Sequence, residues 1–273
     1  MERSGSDALF AGAIPQLYER HLVPMLFAHY ADDLARRVAA LRPSRVLETA
    51  AGTGAVTRAM ALALPDGVEI VATDLNQPML DRAAAIGTAR PVQFVQADAL
   101  SLPFDDAHFD VLACQFGAMF FPDKARAFAE ARRVLRPGGS FVFNVWDRIE
   151  ENDFAHTVTQ ALARRFPDAP PSFMARTPHG YFEPHRIRGD LAAAGFDEPV
   201  RIEAVDALSR AASAHDCAYA YCNGTPLRNE LEGRPGADLG ELTALCARAI
   251  AQRFGEGPIE GRIRALVVSV ART

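Results

Sequence analysis

The sequence predicts an α/β protein: one seven-stranded, mostly parallel sheet with an antiparallel last strand, helices on both faces and helical lid insertions. Three observations predict it. From residue 44, short β-branched runs alternate with longer helical patterns, the signature of βαβ units. Right-handed crossovers are near-obligatory for such units, which puts the intervening helices on both faces. Two late strand candidates read as an antiparallel pair rather than as further crossover units.

The elements follow in order. Residues 15–41 read as one or two helices, with Tyr18, Leu22, Val23, Leu26, Phe27 and Tyr30 spaced to share a face. The regular strands are RVLETA (45–50), VEIVATD (68–74), VQFVQAD (92–98), FDVLACQF (109–116) and SFVFNVWD (140–147). Helical patterns lie between them at 55–65, at 76–87 with Asn76 as N-cap, and at 123–139. The last of these carries Phe128, Ala131, Val134 and Leu135 near helical spacing and stops at Pro137, Gly138 and Gly139. The Pro-rich stretch FPDAPPSFMARTPHGYFEP is expected to be irregular. The late strands are VRIEAVDAL (200–208) and RIRALVVSVAR (262–272). The whole is expected to be one domain: a helical cap (1–41), a core (42–150) and two insertions (151–198 and 209–261). Insertions at the carboxyl edge of such a sheet usually build sites.

Composition narrows the function. The chain has 273 residues, 49% hydrophobic and 23% charged, and no apolar run approaches the roughly 20 residues that span a bilayer. The first twenty residues lack a basic stretch followed by an apolar core, so the expected location is cytoplasmic. Four scattered cysteines show no CxxC pair, which argues against a disulfide framework and against a metal site. A net charge of −5 with dispersed arginines makes nucleic acid a poor partner.

The chemistry is concentrated after the first strand, in VLETAAGTGAVT. A P-loop needs Lys and then Ser or Thr after its last glycine, but Ala55 and Val56 follow Gly54. A dinucleotide fingerprint needs a third small residue where Thr57 stands. Glu48, just ahead of the turn, would repel a phosphate and suits a cationic group. Asp74 closes the second strand, 22 residues after Gly52, where a ribose-binding acid belongs. Asp98 closes the third, where it can accept from an exocyclic amine. Taken singly, a strand-end Asp is equally a helix cap and a glycine pair equally a turn. Together the three acids imply a ligand with an ammonium, a ribose diol and an adenine, and no phosphate.

On these residues the chain resembles a class I S-adenosylmethionine-dependent methyltransferase, of the group that includes the ubiquinone and menaquinone biosynthesis C-methyltransferases. The resemblance covers roughly residues 40–150, through VLETAAGTG, ATDLNQPML, VQADALSLPF, FDVLACQFGAMFF and RVLRPGGSFVFNVW. It implies a Rossmann-like sheet and S-adenosylmethionine as cofactor. Glu48 would govern the methionine end, and Ala50, Gly52 and Gly54 would let the main chain approach. Asp74 would hold the ribose with Leu75 and Met79 nearby, Asp98 and the Ala99 backbone would read the adenine, and Gln115 and Phe116 would lie near the methyl. Ala50 stands where the family more often has glycine, which is tolerable if its φ is negative.

In-line methyl transfer can rest largely on placement and exclusion of water. A general base helps with a hydroxyl, amine or acidic carbon, and His156, His179, Tyr181 and His185 are the candidates. Tyr18, Tyr30, Phe116, Phe120, Phe121 and Trp146 are expected to wall a dry pocket facing the sulfonium, ordinary core being the alternative use of the same rings. Tyr221 and Asn223, in AYAYCNGTPLRNELE, are expected in an acceptor lid. The expected enzyme is a monomer or homodimer that methylates a small-molecule acceptor. Two alternatives stand beside it: a nicotinamide-dependent oxidoreductase and a non-catalytic S-adenosylmethionine-binding regulator.

Overall fold

The computed structural model describes residues 14–273. Residues 1–13, which open the expected cap and the stretch read for a secretory signal, lie outside the described residues. Seven strands form one sheet in the order β3-β2-β1-β4-β5-β7-β6. They are β1 (Arg45–Glu48), β2 (Glu69–Asp74), β3 (Gln93–Gln96), β4 (Phe109–Gln115), β5 (Leu135–Trp146), β6 (Arg201–Ala211) and β7 (Ile259–Ala271). The first five pair in parallel, and β7 runs antiparallel to both β5 and β6. The order reverses direction between β1 and β4, so their carboxyl ends flank a crevice, the place where open α/β sheets bind ligands.

Successive residues of a strand face opposite sides, and the core divides accordingly. Val46, Ile70, Val111 and Val142 pack on one face with Leu34 and Val38 of the helix Ala28–Ala40 and Met60 of the helix Ala55–Ala63. Leu47, Val71, Leu112, Phe141 and Phe143 pack on the other with Phe128 of the helix Lys124–Val134 and with Ile187 and Leu191 of the helix Pro184–Ala193. The hydrophobic runs of the strands are therefore continuous because both faces are covered.

The boundaries show three departures from the sequence expectation. The helix expected to run to Gly139 ends at Val134, and Leu135 already pairs with Phe109 in the sheet. The Pro-rich stretch contains a helical turn, Phe173–Arg176, and Pro184 opens a helix at its first turn, where its missing N–H costs no hydrogen bond. The leading helix is not uniform: Tyr18–Phe27 winds as a π-helix that contains Pro24, between short α-helical Ile14–Leu17 and the helix Ala28–Ala40. Such wide turns occur chiefly at functional sites. The segment between the last two strands forms helices Ala214–Gly224, Leu227–Glu232 and Leu239–Phe254. The first of these packs on the π-helix. Among the described residues no helix is long and apolar enough to cross a membrane.

Candidate functional site

The turn after β1 is built from backbone conformations that side chains resist. Ala50, Gly52 and Gly54 all have positive φ (54°, 57° and 83°). Glycine tolerates this freely, whereas a residue with a Cβ is strained there by roughly 1–3 kcal/mol. The negative φ that would have made Ala50 innocuous is not what the chain adopts. The turn is fastened to its neighbours: Thr49 N–H donates to Ala113 O at 2.9 Å, Ala51 N–H to Thr73 O at 2.9 Å and Gly52 N–H to Asp74 Oδ2 at 2.8 Å. Arg58 reaches back to Thr53 O at 2.6 Å and across to Glu19 of the π-helix at 2.7 Å, which ties that helix to the turn.

The three acids differ in their surroundings. Glu48 is 1% exposed, accepts from the Thr57 hydroxyl at 2.6 Å, and is pushed up to about 8 by burial, with the Thr57 bond opposing. Thr57, which excluded a dinucleotide loop in the sequence, is therefore Glu48's partner. Glu48 borders a small cavity of about 30 Å³ with Tyr18, Gly52, Thr53 and Gln115, where the buried Thr53 hydroxyl has no hydrogen-bond partner. Asp74 is buried and raised by that burial, although it also accepts from Asn76 N–H at 2.8 Å. It is thus a turn-fastening group and a cleft-lining group at once. Asp98 is exposed, accepts from Leu100 N–H at 2.9 Å and stands at the open end. The cleft that Asp74 and Asp98 line has a volume of about 280 Å³.

At its inner end the cleft meets aromatic rings. Phe116 also has positive φ (50°), and its N–H is shared by the main-chain oxygen and Oδ1 of Asn144 at 3.1 and 3.0 Å. Its ring stacks on Trp146 with centroids 3.9 Å apart and planes 11° from parallel. Gly117 follows because a Cβ there would lie 2.4 Å from that of Ala50: the turns after β1 and β4 press on each other. Behind Phe116 is an annex of about 60 Å³, bounded by Leu26, Trp146, Phe173, Met174 and Tyr221 among others. Among the described residues no charged side chain lines it.

Residues 47–143 match the family described as a methyltransferase domain. The likeness to a methyltransferase domain thus lies in residues 47–143. The chain is 46% identical over 104 residues to the ubiquinone/menaquinone biosynthesis C-methyltransferase UbiE of Ectopseudomonas mendocina, covering 36% of this chain and 41% of that protein. It is 42% identical over 114 residues to the demethylmenaquinone methyltransferase of Thermus thermophilus, covering 41% of this chain and 50% of that one. The chain thus spans half or less of the length of these relatives. The YcgJ protein of Bacillus subtilis superposes with a TM-score of 0.57 at 20% identity, over 90% of this chain and 99% of its own. The [4+2]-cyclase SpnF does so with a TM-score of 0.54 at 20% identity, over 90% of this chain and 81% of its own. These two likenesses concern the fold. The match lies in the cofactor half, and neither alternative weighed from the sequence finds support in it.

The sheet and its turns bring most of the expected cofactor residues to one cleft. Tyr18, Ala50, Gly52, Asp74, Leu75, Met79, Asp98, Ala99, Gln115 and Phe116 line it, and Glu48 borders the adjoining small cavity. Gly54 does not line it. A Cβ at Gly54 would meet that of Ala83 at 3.1 Å, so this glycine serves close packing between two helices. The donor set fits S-adenosylmethionine: a buried acid and an orphaned hydroxyl at one end, strand-end carboxylates along the cleft and, among the described residues, no cluster of cations that would serve a phosphate.

The acceptor expectations divide. Phe120 lines both cleft and annex, while Trp146 and Tyr221 line the annex. Tyr30 instead is fully buried and donates to Val205 O at 3.1 Å, and Asn223 donates to the Thr243 hydroxyl at 3.3 Å; both sit in the packing. The candidate bases do not gather at the cleft. His156 faces Gln160 on the surface, His185 is exposed beside Glu183, and the Tyr181 hydroxyl donates to Asp190 at 2.7 Å. His179 alone neighbours the annex, its ring 6.0 Å from that of Trp146. A carbonyl only accepts, so the Nδ1 that lies 2.9 Å from Asp147 O carries the proton, and burial lowers the imidazole to about 4. The sequence reading missed Thr57, Arg58 and Asn144 as site residues. Thr57 and Arg58 had a signal, since they stand in the first turn of the helix that follows the buried acid's strand, but Asn144 looked like any polar interruption in a strand.

Proposed function

We propose that the protein is an S-adenosylmethionine-dependent methyltransferase acting on a small apolar acceptor. The carrying observation is the junction: a cleft lined by Asp74 and Asp98, with Glu48 on the small cavity beside it, shares Tyr18, Phe116 and Phe120 with an aromatic annex that no charged side chain of the described residues lines. The cofactor, when bound, supplies an electrophilic methyl on a sulfonium. Glu48 takes the ammonium, Asp74 accepts from the ribose hydroxyls, and Asp98 with the Ala99 backbone reads the adenine. Gln115 and Phe116 flank the methyl. The annex holds the acceptor on the axis of displacement and keeps water out, which are the effects that an in-line transfer needs most. His179 is the one candidate base close to the annex. Tyr181 and His185 have no part in this reading.

Because two relatives are named for quinone methylation, a reduced quinone is the first acceptor class to test. The reading is of a cytoplasmic monomer or homodimer that does not engage nucleic acid, supported by the net charge of −5 and the lack of a basic stripe. Calorimetry with S-adenosylhomocysteine tests it directly. The wild type should bind, and Asp74→Ala should not; absence of binding by the wild type would end the proposal. Transfer of labelled methyl to reduced quinones and to phenols of similar size then tests the acceptor class.

A further inference from the structure

Phe116 is a bulky residue in the left-handed region (φ 50°), where any Cβ is disfavoured. Two groups of one strand hold it there. Asn144 accepts its N–H with both the main-chain oxygen and Oδ1, and Trp146 receives its ring face to face. Residues two apart on a strand share a face, so β5 grips Phe116 by backbone and by ring together. Asn144 is 1% exposed, and its Nδ2 faces Gln115 Oε1 at 3.5 Å, while Gln115 Nε2 faces Phe27 O at 3.4 Å. This chain of contacts joins β5, β4 and the π-helix. The ring so held lines the cleft on one side and the annex on the other.

We propose that Asn144 is a positioning residue that locks Phe116 in its left-handed turn, making the Phe116 ring a fixed partition between the cofactor cleft and the acceptor annex. The inference rests on the reading that these two spaces hold cofactor and acceptor. Without the Oδ1 acceptor, residue 116 relaxes toward negative φ, its ring leaves Trp146, and the two spaces merge. The backbone oxygen of residue 144 accepts the same N–H whatever the side chain, so a substitution there removes the Oδ1 contact alone.

Trp146 is the chain's single tryptophan, so its emission reads the partition without acceptor or turnover. Asn144→Leu keeps the heavy-atom count and branching and removes the acceptor; Asn144→Asp keeps an oxygen in the same place. The expected result is that Asn144→Leu, with an unchanged far-UV spectrum, shows red-shifted emission and markedly stronger acrylamide quenching. Its S-adenosylhomocysteine affinity should fall about tenfold, some 1.4 kcal/mol. Asn144→Asp should stay close to wild type in all three. A residue that only fills space would rank the other way, with Leu tolerated and Asp not, and that ranking overturns the proposal. Should either variant fail to fold, amide exchange in the wild type decides: the Phe116 N–H must exchange as slowly as strand interiors, and exchange at loop rates overturns the lock. Wild-type protein that fails to bind S-adenosylhomocysteine while showing the expected quenching order would sink the cofactor reading and leave the lock standing.

Discussion

The proposed cofactor and acceptor halves of the site are built on opposite plans. The cofactor half consists of short turns at the ends of neighbouring strands, each placing one acid or one close backbone approach where hydrogen bonds demand it. The acceptor half is a lining of rings and aliphatic groups brought together from the π-helix, β5, the turn at Phe173 and the helix Ala214–Gly224. Hydrogen bonds are directional and fix residue type at fixed positions. Apolar contact is roughly proportional to area, and many side chains supply area equally well. One half is consequently written as motif and the other as surface.

The difference can be broken by substitution. Asp74→Ala is expected to have the largest effect: it removes a turn-fastening acceptor as well as a ligand contact. A loss of about a hundredfold or more in S-adenosylhomocysteine affinity by calorimetry should follow, since a buried N–H left unpaired adds its desolvation cost to the lost contact. Leu26→Ala, in the annex, should lower stability to denaturant by about 2–4 kcal/mol while leaving cofactor affinity nearly unchanged. If both fall together, the two halves are a single unit and the contrast fails.

The pH response of Glu48 sharpens the contrast further. Its folded value of about 8 lies above its ordinary 4.5, so the folded protein holds this proton more tightly than the unfolded chain does. Its stabilising contribution is therefore whole below 4.5 and is lost as the pH rises toward 8, with a slope of at most about 1.4 kcal/mol per pH unit. Thr57, Asp74 and Arg58 are the groups that modulate it. Glu48→Gln should flatten the alkaline fall in thermal stability measured between these limits while weakening cofactor binding. An unchanged profile would show that Glu48 is ionised before the ligand arrives. Tyr30→Phe should have the smallest effect, a loss of about 1 kcal/mol with cofactor affinity intact, as befits a single hydrogen bond in the packing. A selective loss of acceptor binding in that variant would return Tyr30 to the site.

Legibility follows the same division. Glu48, Asp74 and Asp98 could be placed from sequence because strand ends in a parallel sheet are fixed by β-branched runs, and the order of the runs fixes their edge. Gly54 was misjudged because a glycine that admits a ligand and one that admits a helix look alike until the helix is seen. Tyr30, Asn223 and Tyr181 turn to partners outside the cleft because an amphipathic side chain serves a wall or an internal hydrogen bond equally well, and the partners Val205, Thr243 and Asp190 are not foreseeable from sequence. Asn144 was missed because its role depends on the backbone of a residue 28 positions earlier.

The π-helix turns residue count into aim. Tyr18 and Phe27 stack with centroids 5.0 Å apart although nine positions separate them. At about 100° per residue an α-helix would put residues nine apart on opposite sides of its axis. The wider winding returns them to the same side, which is how one tyrosine comes to border the cleft, the small cavity beside Glu48 and the annex together. For this stretch the number of residues matters as much as their identity: dropping a single one would rewind the turns and swing Tyr18 away from all three spaces, even with every side chain conserved.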